Sequence, residues 1–252
     1  MSQGSVTPLR AAGLSRRYGR TQAVDQLSLE VRAGEILGFL GPNGAGKTTT
    51  LKLCAGLLRP DAGDVWVAGY SQASAPLEAR GRLGFVPDRP FLYEQLSARE
   101  HLAFCASLYR VPLPEAATRA RALLHALDLI DAADQLIESY SLGMRQKVSI
   151  AAAMIHEPAV LLLDEPLSGL DPRGARALKD LLRDRAARGA GVLVSTHLLE
   201  VAERLCDRVV ILKDGRVRAE GTLDELRAGR QRATLEDVFL LLTEESGAQG
   251  TR

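Results

Sequence analysis

The sequence predicts an α/β fold with a parallel β-sheet at its centre. A fully apolar run, Ile36–Leu40, leads into a glycine-rich loop and then into a stretch that is compatible with a helix from Lys47 onwards. Similar apolar runs return at residues 159–163 and 191–195. Strands that are apolar on both faces are typical of parallel sheets, because helices cover both faces of such sheets. The chain therefore predicts repeated strand–helix units.

The N-terminal half adds two further features to this core. Residues 27–31 alternate between apolar and polar side chains, which predicts a strand with one exposed face. From about residue 90 to residue 158 no strand pattern occurs. Within this stretch, residues 97–100 form a capping box and residues 115–129 have helical spacing. We therefore expect a helical insertion into the sheet.

The C-terminal half continues the strand–helix pattern. Asp171-Pro172 predicts a helix start, and the helix can run to Gly189, which completes a strand–helix–strand crossover. Residues 209–212 and 217–219 flank Asp214-Gly215 and predict a β-hairpin. Another short helix is expected after the cap at 222–225, and the polar residues 244–252 are expected to fray.

Composition narrows the classes of function. The chain has 252 residues, of which 46% are hydrophobic, enough for one large α/β domain or a core with an inserted subdomain. Its 32 basic and 31 acidic residues nearly cancel, which gives no electrostatic argument for nucleic-acid binding or a polybasic membrane anchor. No signal peptide or apolar window of about 18 residues is found, so we expect no membrane segment. We expect the widely spaced Cys54, Cys105 and Cys206 to be buried thiols of a cytoplasmic protein.

A phosphate loop follows the first apolar strand. The pattern G-x-x-x-x-G-K-[ST] is formed by Gly41, Pro42, Asn43, Gly44, Ala45, Gly46, Lys47 and Thr48, with Thr49 next in the predicted helix. In such loops backbone N–H groups turn toward the β- and γ-phosphates, the lysine reaches the same oxygens, and the Thr48 hydroxyl can ligate Mg²⁺. The alternative is a glycine-rich turn without a ligand, which the strand–helix context disfavours. We predict that the loop binds a nucleoside triphosphate.

Two acids end the apolar run at 159–163. A buried strand delivers Asp164 and Glu165 to the carboxyl edge of the sheet, where α/β folds bind their ligands. Asp164 is placed to hold Mg²⁺ through water, and Glu165 to polarise the attacking water. The alternative, a strand that simply leaves the core, explains one acid but not the match with the phosphate loop.

Three more segments stand in a fixed order along the chain. Residues 140–146 read Tyr-Ser-Leu-Gly-Met-Arg-Gln, residues 168–171 read Ser-Gly-Leu-Asp, and residues 195–197 read Ser-Thr-His. Combined with the phosphate loop and the paired acids, they make the chain resemble the nucleotide-binding subunit of ABC transporters. The resemblance extends from about Leu9 to Leu242.

The resemblance implies a single ABC ATPase domain over residues 5–242. Its expected architecture is a P-loop NTPase (RecA-like) parallel-sheet core with an N-terminal antiparallel β subdomain and an inserted α-helical subdomain. The core with the β subdomain would occupy about 5–88 and 158–221, the helical subdomain about 89–157, a short C-terminal helical extension 222–242, and a polar tail 243–252.

The resemblance also implies roles for single residues and for ATP and Mg²⁺ as cofactors. Tyr18 would stack on adenine, while Glu165 and His197 would be catalytic, with His197 contacting the γ-phosphate. Asp171 would lie in a loop that crosses a dimer interface. A signature segment would reach the γ-phosphate held by a second copy of the chain; it consists of Ser141, Leu142, Gly143 and Met144.

Two segments depart from the family pattern. Asp88 stands where the family usually has Gln; its carboxylate can also ligate Mg²⁺, beside Thr48 and Asp164, but it adds a negative charge. The signature segment is preceded by Tyr and reads Ser-Leu-Gly-Met, where the family has Leu followed by Ser-Gly-Gly-Gln. With residues 235–239, these departures resemble the exporter branch that serves drugs, antibiotics, lipids or sodium.

We therefore expect an ATPase that pairs with a second copy of itself, or with a homologous subunit, around two MgATP and drives a separate permease that exports its substrate. The chain would be cytoplasmic, peripheral on the inner face of the cell membrane through the permease, without a nucleic-acid partner. One alternative is a non-transport ABC-type ATPase acting on DNA or ribosomes, although the insertion is short and the phosphate loop occurs once. Another is a stand-alone P-loop kinase or GTPase, although no Asn-Lys-x-Asp motif is present.

An apolar cluster of Phe91, Leu92 and Tyr93 precedes the helix that Ser97 caps. This cluster fits two interpretations. It can form a groove that receives the permease, or it can be the seam between two subdomains. The sequence leaves both open.

Overall fold

The computed structural model describes residues 6–227 and 234–244. The strands are β1 Leu9–Tyr18, β2 Thr21–Val31, β3 Ile36–Leu40, β4 Ala62–Val67, β5 Tyr70–Ser71, β6 Leu83–Val86, β7 Val160–Asp164, β8 Gly191–Thr196, β9 Arg208–Lys213 and β10 Arg216–Gly221. The helices are α1 Lys47–Cys54, α2 Pro76–Arg80, α3 Ala98–Leu108, α4 Leu113–Ala126, α5 Leu142–Met154, α6 Pro172–Ala187, α7 Leu199–Leu205, α8 Leu223–Arg227 and α9 Leu235–Glu244.

A six-stranded sheet forms the centre of the fold, in the order β10-β9-β3-β8-β7-β6. Strand β3 pairs in parallel with β8 and β9, and β7 pairs in parallel with β8 and β6. In the described part of this sheet, β10 alone runs antiparallel, as the second strand of the hairpin with β9. Every residue of β3, β7 and β8 is buried. The predicted parallel core is confirmed.

An antiparallel sheet, in the order β2-β1-β4-β5, covers one face of the central sheet together with α1. Leu14 of β1, Leu27 of β2 and Phe39 of β3 share one hydrophobic core with Leu51 of α1. Burial alternates along the last five residues of β2, because one face of that strand packs inward and the other meets solvent. The alternation predicted for residues 27–31 is thus observed.

The helices α3, α4 and α5 lie between β6 and β7 in the chain and pack on the other face. Leu102 of α3, Leu124 of α4 and Ile150 of α5 share a second core with Leu163 of β7. The predicted capping box begins α3: the Ser97 hydroxyl accepts a hydrogen bond from the backbone N–H that lies three residues later, and the carboxylate there accepts one from the Ser97 N–H (2.8 Å). The predicted helical insertion is therefore present.

The C-terminal turn and helix cap lie where the sequence predicts them. Asp214 and Gly215 both have positive φ values, 52° and 72°, and form the predicted turn between β9 and β10. The hydroxyl of Thr222 accepts a hydrogen bond from the N–H of Glu225 at the start of α8. The polar tail is expected to fray from residue 244, but Glu244 is still the last residue of α9. Residues 245–252 lie outside the described residues, as does residue 5.

The cysteines differ in their surroundings. Cys54 and Cys206 are buried, and burial raises the pKa of each thiol to about 12. Cys105 is only half-buried, so the prediction of buried thiols holds for two of the three. Among the helices of residues 6–227 and 234–244, none is both long and apolar enough to cross a membrane.

Candidate functional site

A cavity of about 430 Å³ opens at the carboxyl edge of the central sheet. Its wall is formed by the start of β2, the phosphate loop and the first turn of α1. Three further segments add residues: Asp88 after β6, three residues at or after the end of β7, and His197 directly after β8. The lining residues are Thr21, Gln22, Ala23, Asn43, Gly44, Ala45, Gly46, Lys47, Thr48, Thr49, Asp88, Asp164, Glu165, Ser168 and His197. The fold thus brings the predicted phosphate-binding and acidic residues into one cavity.

The phosphate loop needs glycine at positions where the backbone is crowded or left-handed. Gly46 has φ 103°, and a Cβ there would lie 2.3 Å from the carbonyl oxygen of Ala23. At Gly41, a Cβ would lie 2.6 Å from the carbonyl oxygen of Leu212. Residues with side chains cannot occupy these positions without moving the backbone. The loop is therefore held close to β2 and β9 in a shape that leaves its N–H groups at the start of α1, where anions bind.

Lys47 is buried at the base of this loop, with 9% of its surface exposed. Its Nζ donates hydrogen bonds to the carbonyl oxygens of Gly41 (2.6 Å) and Pro42 (3.2 Å). Burial lowers the pKa of the Lys47 ammonium, and the negative charges of Glu165 and Asp164 partly oppose that shift. Gly41 and Pro42 do not line the cavity themselves; they hold the lysine whose charge faces it.

Glu165 and His197 meet across two neighbouring strands. The Nδ1 atom of His197 lies 2.9 Å from Oε1 of Glu165, and the N–H of Glu165 donates to the carbonyl oxygen of Ser195 at 3.0 Å. Glu165 has φ 48°, a left-handed conformation that costs a non-glycine residue about 1 kcal/mol or more. The turn after β7 therefore aims the Glu165 carboxylate at the residue that follows β8, inside the cavity.

Oxygen donors suited to a hard cation line the same cavity. They are the Thr48 hydroxyl and the carboxylates of Asp164 and Asp88. Asp164 is 2% exposed, and its Cα is paired with Ser195, whose buried hydroxyl has no hydrogen-bond partner among the described residues. No cluster of three or more His, Cys, Asp or Glu residues suited to a metal occurs in the described ranges. This sparse set of oxygen donors fits Mg²⁺, which usually keeps several waters and takes phosphate oxygens as further ligands.

The remaining predicted residues lie outside the cavity. Tyr18 ends β1 and is 45% exposed. Ser141 begins α5 and caps it, accepting a hydrogen bond from the N–H of Met144 (3.3 Å), and Leu142 is 64% exposed. Asp171 caps α6 through the N–H of Gly174 (2.8 Å).

The signature segment packs against the loop that precedes α6. A Cβ on Gly143 would lie 2.7 Å from the carbonyl oxygen of Gly169. The signature segment and the segment 168–171 are therefore neighbours on the surface, and the signature segment takes no part in lining the cavity of its own chain.

Sequence reasoning missed four of the lining residues. Thr21, Gln22 and Ala23 reach the cavity because β2 packs against the phosphate loop, close to Gly46. The turn of the β9–β10 hairpin bridges the same two segments: Gly215 donates to the carbonyl of Ala45 (3.0 Å) and accepts from the N–H of Asp25 (2.9 Å). No motif marks residues 21–23. Ser168 belongs to the segment 168–171, and its place three residues after Glu165 signals that it lies near the cavity.

Comparison with known proteins identifies the family. The ABC transporter family model matches residues 24–168. The daunorubicin resistance ATP-binding protein DrrA3 of Streptomyces coeruleorubidus is 42% identical over 222 residues, which are 88% of this chain and 70% of the relative. The Nod factor export ATP-binding protein I of Burkholderia orbicola is 40% identical over 217 residues, 86% of this chain and 71% of the relative.

Solved structures give the same result. An ATP-binding subunit of an ABC transporter is 38% identical, with a TM-score of 0.89 over 94% of this chain and 99% of that structure. A dimeric ATP-binding cassette in a post-hydrolysis state, bound to ADP and Pi, is 27% identical, with a TM-score of 0.77 over 85% of this chain and 98% of that one. The predicted family, fold class and ATPase activity are confirmed: the chain belongs to the ABC transporter family, as an ATP-binding subunit that hydrolyses ATP.

Proposed function

We propose that two copies of this chain, or this chain and a homologous subunit, share MgATP between them and drive a separate membrane-spanning permease that exports a drug, antibiotic, lipid or ion. One observation carries the proposal. The phosphate loop, Glu165 and His197 line one cavity, whereas the signature segment lies elsewhere on the surface. A second chain can bring its own signature segment to that cavity. The dimeric relative with ADP and Pi bound supports such a pairing.

The proposed chemistry assigns each group a task, and Tyr18 stacks on the adenine base, as the family resemblance implies. The loop N–H groups and Lys47 hold the β- and γ-phosphates, and the Glu165 carboxylate accepts a proton from the attacking water. His197, beside Glu165, contacts the γ-phosphate and keeps that carboxylate in place. Thr48, Asp164 and Asp88 would hold Mg²⁺, which when bound neutralises charge on the phosphates. Ser141 and Gly143 of the second chain present a helix N-terminus to the γ-phosphate.

The transport role rests on the relatives. One is named for daunorubicin resistance and another for Nod factor export, and these names support an export role for this chain. In this proposal the chain lies on the cytoplasmic face of the membrane, attached through the permease, and has no nucleic-acid partner. These comparisons do not favour either alternative, an ATPase acting on DNA or ribosomes or a stand-alone kinase or GTPase.

A composite site predicts that the ATPase rate per subunit depends on protein concentration. Diluting the purified chain below the dissociation constant of the dimer should lower the rate per subunit, by up to about tenfold for each tenfold dilution. The measurement is steady-state phosphate release in saturating MgATP over three decades of concentration. An inert carrier protein at constant total mass controls for adsorption to surfaces. A rate per subunit that stays constant throughout would contradict the shared site.

The exposed aromatic residues after β6 predict the position of the permease. Phe91 is 91% exposed and Tyr93 53% exposed, while the half-buried Leu92 packs on the second core. Tyr93 lies edge-on to Phe104 of α3, with centroids 5.2 Å apart. A seam between subdomains buries its apolar side chains, so the exposure of Phe91 supports a docking role.

The test is co-purification with a membrane protein of about six apolar segments expressed together with this chain. The double variant Phe91→Glu/Tyr93→Glu should lose association by about tenfold or more, because burying one aromatic side chain stabilises by about 2 kcal/mol. Its ATP affinity should stay unchanged. Leu113→Glu, at a residue 77% exposed on α4, is the matched control. Loss of both association and ATP binding would mean misfolding, and retained association would exclude this surface.

A further inference from the structure

Tyr18, the proposed stacking residue for the base, does not stand alone at the end of β1. The guanidinium of Arg16 lies over its ring, with Cζ 5.1 Å from the ring centroid. Residues two apart on a regular strand project to the same side, and here the contact forms although the β1–β2 register shifts between Arg16 and Arg17. Tyr18 as a whole is still 45% exposed. Arg16 thus covers one face of the ring and leaves the rest accessible to a ligand.

Arg16 is itself held by hydrogen bonds to two other residues. Its Nη1 donates to Oδ1 of Asp61 (2.9 Å) and to the carbonyl oxygen of Arg59 (3.2 Å). The other carboxylate oxygen of Asp61 accepts from the N–H of Arg17 (2.7 Å), and the N–H of Asp61 donates to the carbonyl of Ser15 (2.8 Å). An aspartate that binds both the side chain and the strand backbone fixes where the guanidinium can lie.

The same strand end is joined to the cavity wall. The Cα of Tyr18 is paired with Thr21, and Nε of Arg17 donates to Oε1 of Gln22 (2.9 Å). Thr21 and Gln22 both line the cavity. Tyr18 therefore lies beside the end of the cavity that the β1–β2 hairpin forms, and the groups that hold its ring, Arg16 and Asp61, do not line the cavity.

We propose that Arg16, anchored by Asp61, is a positioning residue for nucleobase binding: it holds the Tyr18 ring in the orientation that stacks on the base. This inference rests on the proposed function, in which Tyr18 is the stacking residue. An exposed tyrosine that is free to rotate loses side-chain entropy when a base orders it, and a ring already held by Arg16 loses less. The cation on one face also leaves a single face for the base.

The test compares ligands with and without a base. Calorimetric titration with MgATP should show that Arg16→Ala raises the dissociation constant about 5- to 10-fold, a part of the loss that base–aromatic stacking can cause. Titration with magnesium tripolyphosphate, which has no base, should give a dissociation constant within about twofold of the unsubstituted chain. The value of kcat should stay unchanged, because the phosphates remain in place. Arg16→Lys keeps the charge but cannot stack as a plane, so its dissociation constant for MgATP should lie between those of the unsubstituted chain and of Arg16→Ala.

A double-mutant cycle separates positioning from a general effect. Tyr18→Leu should weaken MgATP binding at least as much as Arg16→Ala, and adding Arg16→Ala to Tyr18→Leu should cause no further loss. The matched control is Arg10→Ala. Arg10 lies on β1, like Arg16, and its Cζ is 5.2 Å from the ring centroid of Trp66 on β4, so this substitution should leave ATP affinity unchanged. If Arg16→Ala does not fold, Asp61→Asn removes the anchoring charge and receives the same two titrations.

The outcomes are distinct. Equal weakening of ATP and tripolyphosphate, or full additivity of the two substitutions, would overturn the role of Arg16. A strong effect of Tyr18→Leu with none from Arg16→Ala would do the same while leaving the proposed base site intact. If Tyr18→Leu itself leaves ATP affinity unchanged, the base-binding part of the proposed function fails, and the inference about Arg16 fails with it.

Discussion

Glu165→Gln is expected to lower the rate of ATP hydrolysis by about 10²- to 10⁴-fold, the range that a general base contributes, while ATP affinity stays close to that of the unsubstituted chain. The amide has the size of the carboxylate and can still hydrogen-bond His197, so the left-handed turn after β7 need not change. The amide cannot accept the proton of the attacking water. Substrate therefore binds and remains bound, and the ATP-bound dimer should accumulate.

Two measurements check this prediction. Single-turnover kinetics report the chemical step, and light scattering in saturating MgATP reports the mass of the complex. Glu200→Gln, the same substitution at an exposed acid on α7, is the matched control and should turn over ATP normally. Monomers alone at saturating MgATP, or a loss of ATP affinity as large as the loss of rate, would contradict the assignment of Glu165.

The central sheet could be predicted from the sequence because its signals are local. Ile36–Leu40 is apolar throughout and forms β3 over the same residues, and α1 begins at Lys47 as expected. Asp171 caps α6, which ends two residues before Gly189. Each of these features depends on neighbours within a few positions, which is the range over which strand and helix patterns act.

The short strands of the fold carry no such signal. β6 has four residues, including Gly84, where a Cβ would lie 2.3 Å from the carbonyl oxygen of Ala153 on α5. That glycine is required by a helix packed across the strand, a contact between residues far apart in the chain. The two-residue strand β5 similarly exists through its pairing with β4. Tertiary packing rather than local pattern decides such elements.

The site likewise combines features with a local sequence signal and features that depend on long-range contacts. The phosphate loop and the acids after β7 are readable as motifs, but the 2.9 Å contact between Glu165 and His197 depends on β7 and β8 being neighbours. Residues 21–23 enter the cavity wall because β2 packs against the phosphate loop, where a Cβ on Gly46 would lie 2.3 Å from the carbonyl oxygen of Ala23. Chemistry that one segment carries is readable from its residues. The joint site of Lys47, Glu165 and His197 was expected only through the family resemblance, and residues 21–23 carry no signal at all.

Substituting Ser141 with Asp is expected to lower the ATPase rate by about 10²- to 10³-fold, the cost of losing one donor to a phosphoryl or oxyanion group. Asp caps a helix as well as Ser, so α5 should fold as before. The added negative charge, however, would face the γ-phosphate of the second chain. Ser141→Asn is the matched control, because it has the shape and the capping ability of Asp without the charge, and it should keep a much larger part of the activity.

Mixing two inactive variants decides which chain supplies the signature segment. Lys47→Ala should bind ATP poorly, because the ammonium contacts the phosphates before as well as during reaction. In a mixed dimer, the phosphate loop of the Ser141→Asp chain meets the intact signature segment of the Lys47→Ala chain. Random pairing in equal amounts then restores roughly a quarter of the sites, because half of the dimers are mixed and each contains one complete site.

Recovered activity in the mixture, measured as phosphate release at constant total protein, requires that the signature segment acts across the dimer. If each chain used its own signature segment, every site in every dimer would carry a defect and the mixture would stay as inactive as its parts. The structure supports the first result, because Ser141 and Leu142 lie on the surface beside Gly169 and outside the cavity that holds Lys47. A mixture of Ser141→Asp with Glu165→Gln should recover activity by the same reasoning, since the loop and the acid stay together on one chain while the signature segment comes from the other.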